Sequence, residues 1–372
     1  MIVLTGRNVN TLWSKALEVI ENCQQEASRN GPVIVASCPI MSVYDKPWER
    51  VLFDPARDAN PFFHLFEALW MLAGRNDAAF LNKFVKDFGA RFAEPDGRIH
   101  DAYGYRWRHH FDHDYDDLDQ LAIAVDKLRK NPQDRQVVIQ MWDANWHDCQ
   151  EGYANTGAND LLGDWRGRPC NTHIYLRVRD AARTVRHYLN VDGTRRRDWA
   201  ATTQLDMPNP VLDLTVCCRS NDIIWGAYGA NAVHFSFLQE YLAGKIGVGI
   251  GKLYQLSNNW HAYEDTLQGY YAKNPVPSRD PYTNGMTPIP IGNNWEAWDD
   301  DLAAFMTWAE NATDGQWPYF QNVWFNVVAA PMFHTHWIWS TGRQQYALAV
   351  LENVMAPDWK LAAENWMRRR IR

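Results

Sequence analysis

Two strand-like runs, each with a chemically distinctive residue at one end, constrain this chain more than any other feature. Cys170 follows Pro169 and directly precedes the apolar and aromatic run 172–178. Arg219 follows a second apolar run, 211–216, after two intervening cysteines. A nucleophilic cysteine needs a nearby cation to favour its thiolate, and an anionic substrate needs the same cation. The two segments together predict a thiolate that attacks a phosphate-bearing substrate.

The rest of the chain mixes helical and strand patterns, which predicts an α+β domain built on one sheet. Apolar residues at helical spacing predict helices over 10–30, 61–74, 118–130 and 231–244. Apolar and β-branched runs predict strands over 32–43, 135–142, 172–179 and 213–218. Two polar, turn-rich stretches, 145–165 and 181–210, are typical of surface loops.

Composition excludes several classes of protein. Apolar residues make up 46% and charged residues 22% of 372 residues, as in an ordinary globular protein. The net charge of -7 argues against a general nucleic-acid binder, which would carry a basic face. Six cysteines without a Cys-x-x-Cys metal pair indicate free thiols and no metal site. No apolar run approaches the roughly 18 residues that span a membrane, and no signal peptide is visible. We therefore expect a cytoplasmic protein.

The composition changes near residue 274. Two proline-rich stretches, 274–277 and 287–290, indicate a linker. Helical patterns follow over 295–310, 344–354 and 360–370. These observations predict a catalytic domain over 1–273, followed by a linker and a helical C-terminal extension over 274–372.

Several motifs along roughly residues 10–270 resemble those of the thymidylate synthase superfamily, in the same order. Pro169-Cys170 resembles its nucleophile dipeptide, and 219–222 resembles its Arg-Ser-x-Asp motif. Further matches are the glutamate helix around Glu67, the Tyr-Gly-x-x-Trp-Arg segment at 103–108, the arginine turn at 132–136, the arginine loop at 29–31 and the His-x-Tyr pair at 261–263. The resemblance implies a mixed sheet packed with helices, to which the C-terminal extension is added.

The resemblance also implies a covalent mechanism. Cys170 would add to carbon 6 of a pyrimidine, so that carbon 5 can attack an electrophilic one-carbon unit. Arg219 would hold both the thiolate and the substrate phosphate. Glu67 would be the general acid-base group, since desolvation on an apolar helix suits a carboxyl for proton transfer near neutral pH. Tyr103 would assist in the same proton network.

Further arginines are implied in phosphate binding. Arg29, Arg135 and Arg219 would clamp the phosphate, because guanidinium groups bind phosphate oxygens in a bidentate way and stay charged. In this family the arginine matched by Arg135 reaches into the partner subunit's site, which implies a homodimer. Gln136 stands where the family usually has a second arginine. Ser220 and Arg135 match the members that use deoxynucleotides, which favours a pyrimidine deoxynucleotide monophosphate as substrate.

The one-carbon donor implied by the resemblance is 5,10-methylenetetrahydrofolate. Asp222 would accept hydrogen bonds from the paired donors of its pterin ring, and Gly226 is assigned to the same cofactor site. His261 and Tyr263 would contact the 3′-hydroxyl of the sugar.

The loop that reads the base departs from the family pattern. Thymidylate synthases place an asparagine four residues after the glycine, and the dCMP hydroxymethylases place an aspartate there. In this chain the position is Ala230, and Asn231 follows it. A one-residue shift would bring Asn231 onto the base. An amide can present a donor or an acceptor, so uracil and cytosine both stay open. The absence of an acid in the loop favours uracil slightly.

The C-terminus predicts the fate of the one-carbon unit. Methylating members end in a short apolar tail that excludes water during hydride transfer, whereas this chain ends in the arginine-rich run 368–372. If water captures the exocyclic methylene intermediate, the product is a 5-hydroxymethyl nucleotide. We therefore favour hydroxymethylation of dUMP, followed by dCMP hydroxymethylation and then by reductive methylation to dTMP. Such enzymes fit a phage that makes modified DNA.

Two hypotheses from other classes compete with this one. A catalytically silent nucleotide-binding homologue predicts the loss of Cys170, Glu67 or Arg219, and the chain keeps all three. A cysteine hydrolase needs a histidine partner, and His173 lies too close on the same strand.

Overall fold

A mixed sheet of eight strands organises the chain in the computed structural model, which describes residues 1–111, 118–144, 159–161, 163–180, 210–276, 279–312 and 316–371. The strands are β1 Ile2–Gly6, β2 Gln24–Glu26, β3 Val33–Val35, β4 Ile40–Tyr44, β5 Val138–Gln140, β6 Asn171–Arg179, β7 Val211–Asp222 and β8 Gly249–Tyr263. The main path runs β1-β4-β8-β7-β6-β5, and β3 joins β8 and β2 beside it. β1 and β4 are parallel, as are β7 and β8, and the other pairs are antiparallel.

Two long helices form the buried layer on one face of this sheet. The helices of the described chain are α1 Val9–Ile20, α2 Pro61–Leu72, α3 Ala78–Leu81, α4 Phe88–Phe92, α5 Tyr103–Arg108, α6 Gln120–Lys130, α7 Asn231–Ile246, α8 Glu264–Tyr271, α9 Trp298–Asn311, α10 Ala330–Ser340, α11 Gln344–Val350 and α12 Pro357–Arg368. α2 and α7 pack together and are buried along most of their length. The α+β class and the mixed sheet predicted from the resemblance are confirmed.

Local chemistry sets the bounds of α2. Asn60 caps its start, since the side-chain oxygen accepts hydrogen bonds from the backbone N–H groups of Phe62 and Phe63. Pro61 occupies the first turn, where its missing N–H costs nothing. Gly74 follows the helix with a φ of +69°, a conformation that favours glycine.

Three sequence expectations need correction. The helix expected over 10–30 ends at Ile20, because Gln24–Glu26 pairs with Val33–Val35 in an antiparallel ladder. The strand expected over 32–43 divides into β3 and β4, which pair with different parts of β8 on either side of Pro39. β8 itself was not predicted. The expected loops at 145–165 and 181–210 lie largely outside the described residues.

The opposite face of the sheet is not buried. Residues paired in register share one face of a sheet, and one such row joins Val138, Tyr175, Thr215 and Tyr254. Val138 is 45% exposed and Tyr175 46% exposed, and the other two are half-buried. An apolar sheet face therefore remains accessible in a single chain.

The C-terminal helices add to the buried layer through aromatic contacts. The ring of Phe66 on α2 lies 6.0 Å from that of Phe305 and 5.5 Å from that of Phe333. Phe237 on α7 lies 6.0 Å from Trp324. Such aromatic pairs stabilise a fold by more than the burial of their apolar area alone. The extension thus continues the core around α2 and α7. The division at residue 273 stays a prediction.

No helix in the described part of the chain is long and apolar enough to cross a membrane.

Candidate active site

The adjacent ends of β6 and β7 bring the two distinctive sequence segments together. Cys170 directly precedes β6, and the backbone N–H of Arg219 donates to its carbonyl at 2.8 Å. The Arg219 guanidinium then donates from Nε to the Pro169 carbonyl at 3.0 Å and from Nη2 to the Arg168 carbonyl at 2.8 Å. These bonds hold the cation beside the cysteine, where it can act on the thiol and on an anionic ligand.

Burial and charge act on the Cys170 thiol in opposite directions. Burial raises its pKa, the Arg219 charge lowers it, and a hydrogen bond from the Tyr103 hydroxyl lowers it further. Burial is the largest effect, so the thiol of the free protein is mainly protonated at neutral pH. The Arg219 charge therefore lowers the free energy needed to form the thiolate, but it does not outweigh the effect of burial.

Asp101 is a neighbour of this cluster that sequence reasoning missed. Its negative charge raises the pKa of Cys170, and burial raises its own pKa. It fills the space over Gly167, where an added Cβ would lie 2.5 Å from Asp101 Oδ2. Its position two residues before Tyr103 was the only available sequence signal.

Glu67 faces a histidine that was not assigned a role from the sequence. Glu67 on α2 and His234 on α7 are both buried, and Glu67 Oε2 lies 2.9 Å from His234 Nε2. The contact lacks the alignment of a hydrogen bond, and neither atom has a hydrogen-bond partner elsewhere in the described chain. Burial lowers the pKa of the adjacent His64 well below its usual value, and the charges of Arg57 and His234 act in the same direction.

The loop that was predicted to read the base forms a π-helical turn. Ile223–Ala230 forms this turn, and Gly229 within it departs from helical geometry with φ -103° and ψ -111°. Such turns accommodate one residue more than an α-helix. Asn231 is buried at the start of α7, and its Nδ2 donates to Asn221 Oδ1 at 3.0 Å. Asn221 Nδ2 in turn donates to Ser257 Oγ at 3.0 Å.

Gly226 is required by this amide pair, because an added Cβ would lie 2.7 Å from Asn221 Oδ1. In the described chain, Gly226 therefore packs against the side chains of Asn221 and Asn231.

Asp222 begins the same turn and offers an acceptor next to an exposed aromatic surface. Its Oδ1 accepts from the N–H groups of Ile224 and Trp225, and its Oδ2 accepts from the N–H of Tyr263 at 3.3 Å. Burial raises the pKa of Asp222, while these hydrogen bonds and His261 lower it. The Trp225 indole is 58% exposed, with the Arg57 guanidinium 4.9 Å from its centre. A carboxylate beside a flat apolar surface fits the donors and the ring of a pterin.

His261 and Tyr263 lie at the end of β8, with their rings 5.3 Å apart and nearly perpendicular. His261 pairs in register with Asp222, which brings the strand end to the base-reading loop. The Tyr263 hydroxyl accepts a hydrogen bond from Asn30 Nδ2 at 3.4 Å. The arginine loop at 29–31 is thereby joined to this end of the sheet.

The remaining predicted residues are more dispersed. Arg29 is exposed between β2 and β3, and Arg135 is exposed in the turn before β5. Among the described residues no hydrogen bond or ion pair joins either of them to Arg219. Ser220 is half-buried on β7, opposite Asn259. One chain therefore groups Cys170, Tyr103 and Arg219 and leaves the other two arginines on loops.

The mixed sheet, the cysteine beside a fixed arginine and the buried carboxylate fit a transferase that uses a cysteine nucleophile. Residues 62–283 match the thymidylate synthase family. The chain belongs to this family and is a one-carbon transferase. All of the predicted site residues except Arg29 lie within the matched range.

Three relatives show how far the similarity extends. The deoxyuridylate hydroxymethyltransferase of Pseudomonas phage M6 is 37% identical, over 100% of this chain and 95% of the phage protein. The deoxyuridylate hydroxymethyltransferase of Bacillus phage SP01 is 28% identical, over 71% of this chain and 60% of that protein. The thymidylate synthase of Corynebacterium aurimucosum is 29% identical, over 56% and 61%. The similarity to the phage M6 protein extends over the C-terminal helices of this chain.

The arginine beside Cys170 yields a prediction about thiol reactivity. In Arg219→Gln the pH profile of Cys170 alkylation by iodoacetamide should move to higher pH by about one to two units, since the thiolate loses its neighbouring cation. Peptide mass spectrometry would separate Cys170 from the other cysteines. Arg368→Gln, at an exposed position on α12, is the matched control and should leave the profile in place. Identical profiles in both variants would contradict this account of the thiol.

Proposed function

We propose that this chain transfers a hydroxymethyl group to carbon 5 of deoxyuridylate, with 5,10-methylenetetrahydrofolate as the one-carbon donor. The observation that carries the proposal is the position of Cys170 beside the fixed guanidinium of Arg219. The full-length similarity to the deoxyuridylate hydroxymethyltransferase of phage M6 supports the substrate and the product.

In the proposed reaction, Cys170 Sγ bonds to carbon 6 of uracil, and the developing enolate makes carbon 5 nucleophilic. The folate supplies a one-carbon unit at the oxidation level of formaldehyde. Asp222 orients the pterin, and Trp225 offers it an apolar surface. After carbon 5 has lost its proton, the nucleotide carries an exocyclic methylene.

Water then adds to this methylene, and Cys170 leaves as carbons 5 and 6 regain their double bond. The carbon 5 proton and one water proton replace the methylene on the two nitrogens of the released tetrahydrofolate. No oxidant or reductant is needed.

Base selection is proposed to depend on Asn231. Its Nδ2 donates one hydrogen to Asn221 Oδ1, which leaves the second hydrogen and the carbonyl oxygen of the amide available. Those two groups match O4 and the N3–H of uracil. Cytosine would require the reverse orientation of the amide, in which the bond to Asn221 Oδ1 is lost.

The C-terminal arginines are held by one carboxylate. Arg369 Nη2 lies 2.8 Å from Asp58 Oδ1, and Arg370 Nη2 lies 2.7 Å from Asp58 Oδ2. The Arg370 guanidinium also lies 4.1 Å from the centre of the Trp366 ring. Water is proposed to reach the methylene intermediate, and the full-length similarity to the deoxyuridylate hydroxymethyltransferase of phage M6 supports this.

A homodimer is proposed to complete the phosphate site. The exposed sheet face around Tyr175 offers an apolar surface to a second copy, and Arg135 lies exposed beyond β5. Arg135 would then bind the phosphate in the partner's site, together with Arg29, Arg219 and Ser220 of that chain. His261 and Tyr263 would contact the sugar. We place this reaction in the cytoplasm of a phage-infected cell, where it would supply a modified DNA precursor.

Product analysis tests this function. With deoxyuridylate and methylenetetrahydrofolate, mass spectrometry should show 5-hydroxymethyldeoxyuridylate, and the absorbance of dihydrofolate should not appear. The specificity constant for dCMP should be lower by roughly ten-fold or more, because one buried hydrogen-bonding pair is mismatched. Cys170→Ser should make no product. Dihydrofolate formed in step with dTMP would identify a methylating enzyme, and a preference for dCMP would contradict the role of Asn231.

Mixing variants tests the shared site. Arg135→Ala and Cys170→Ser should each be nearly inactive, whereas their mixture should regain about one quarter of wild-type activity through random pairing of subunits. In a heterodimer one site has both groups intact. A mixture of Arg219→Gln and Cys170→Ser is the control and should stay inactive, because both groups belong to one chain's site. Equal recovery in both mixtures, or none in either with heterodimers confirmed, would argue against a contribution of Arg135 across the interface.

A further inference from the structure

The contact between Glu67 and His234 joins two helices within the protein core. The side chain of His234 is 2% exposed and that of Glu67 is 10% exposed, and the nearest atoms, Nε2 and Oε2, lie 2.9 Å apart. The second ring nitrogen of His234, Nδ1, has no hydrogen-bond partner in the described chain. Glu67 Oε2 and His234 Nε2 likewise lack an aligned hydrogen bond. Burying polar atoms in this way costs free energy, which a role in the reaction would explain.

Among the described residues, His234 makes the one ion-pair contact with this carboxylate. His64 lies one helical turn before Glu67 on α2, and burial keeps it neutral. The charge of Arg57 also lowers the pKa of His64. The Arg57 Nε donates to the Ile224 carbonyl at 2.6 Å. On α7, Asn231 lies one turn before His234, so the proposed base-reading amide and this histidine share a side of the helix.

The proposed reaction needs a base at one particular stage. When water adds to the exocyclic methylene, its oxygen bonds to that carbon and one of its protons must be taken up. A carboxylate accepts this proton only when it is ionised and correctly placed. A hydrogen-bond donor beside the carboxylate can fix its orientation.

We infer that His234 is a positioning residue for water addition: its ring, 2.9 Å from the Glu67 carboxylate, turns Nε2–H onto Oε2 during the reaction and so orients the carboxylate to take the proton of the attacking water. This inference rests on the proposed hydroxymethylation, and it assigns to His234 a part that the sequence motifs did not indicate.

Two amide substitutions test this role with little change in polarity. The side-chain nitrogen of glutamine in His234→Gln can occupy the place of Nε2, whereas that of asparagine in His234→Asn falls short of Glu67. The glutamine variant should therefore keep hydroxymethylation within about ten-fold of wild type, and the asparagine variant should lose roughly a hundred-fold. His336→Asn is the control, because His336 is also buried and packs on Phe62 of α2.

The asparagine variant should fail at one step only. In a single turnover it should still release tritium from carbon 5 of labelled deoxyuridylate, and KM for the nucleotide should stay near the wild-type value. An added thiol, which needs no base to attack the methylene, should restore repeated tritium release and yield a thioether nucleotide. The control should resemble wild type in each measurement.

Other outcomes would overturn the inference. If the asparagine variant forms product at the wild-type rate, or loses tritium release that thiol does not restore, His234 does not act at water addition. Equal loss in the glutamine variant would also exclude the hydrogen-bonding role. Failure of the proposed function itself would be distinguishable, because the wild-type protein would then form no hydroxymethyl product.

Discussion

The hydrogen bonds from Arg219 to the carbonyls of Pro169 and Arg168 are the constraint on which the proposed site depends. They connect the end of β7 to the segment that enters β6, so the position of the cysteine follows from the register of two neighbouring strands. Two of the guanidinium nitrogens are bound to the backbone, which fixes the cation while leaving its charge available. The same sheet brings the end of β8, with His261, opposite Asp222. The proposed nucleophile, phosphate ligand and cofactor ligand are therefore held by neighbouring strands of one sheet.

Burial near these strand ends raises the pKa values of several acidic groups, and polar neighbours offset part of that rise. The pKa values of Cys170, Tyr103 and Asp222 are all raised by burial. Arg219 and Tyr103 act against that effect at the thiol, and backbone N–H groups act against it at Asp222. The enclosed surroundings also strengthen each charged contact that a bound nucleotide would make. Arg219 and Tyr103 are thus the described groups that favour the Cys170 thiolate.

The sequence motifs were sufficient to predict the class of fold, and Cys170, Tyr103 and Arg219, which they indicated, lie together in the structure. Each motif combined a reactive side chain with a local backbone signal. Pro169 before Cys170 and the apolar helix around Glu67 are such cases. His234 and Asn221 were missed because their positions depend on contacts between distant segments. The effect of the extra residue before Asn231 became clear only from the π-helical turn, since spacing alone leaves several ways to absorb an insertion. β8 was missed although it lies at the centre of the sheet, because its polar residues hide the strand pattern.

The central claim is that water, and not hydride, completes the reaction in this member of the thymidylate synthase family. It is tested most directly by running the reaction in water enriched in heavy oxygen and determining the mass of the nucleotide product. The account predicts that the new substituent carries one heavy oxygen atom from the solvent, while the folate leaves as tetrahydrofolate. A product that gains a methyl group without solvent oxygen, with dihydrofolate formed in equal amount, would contradict it.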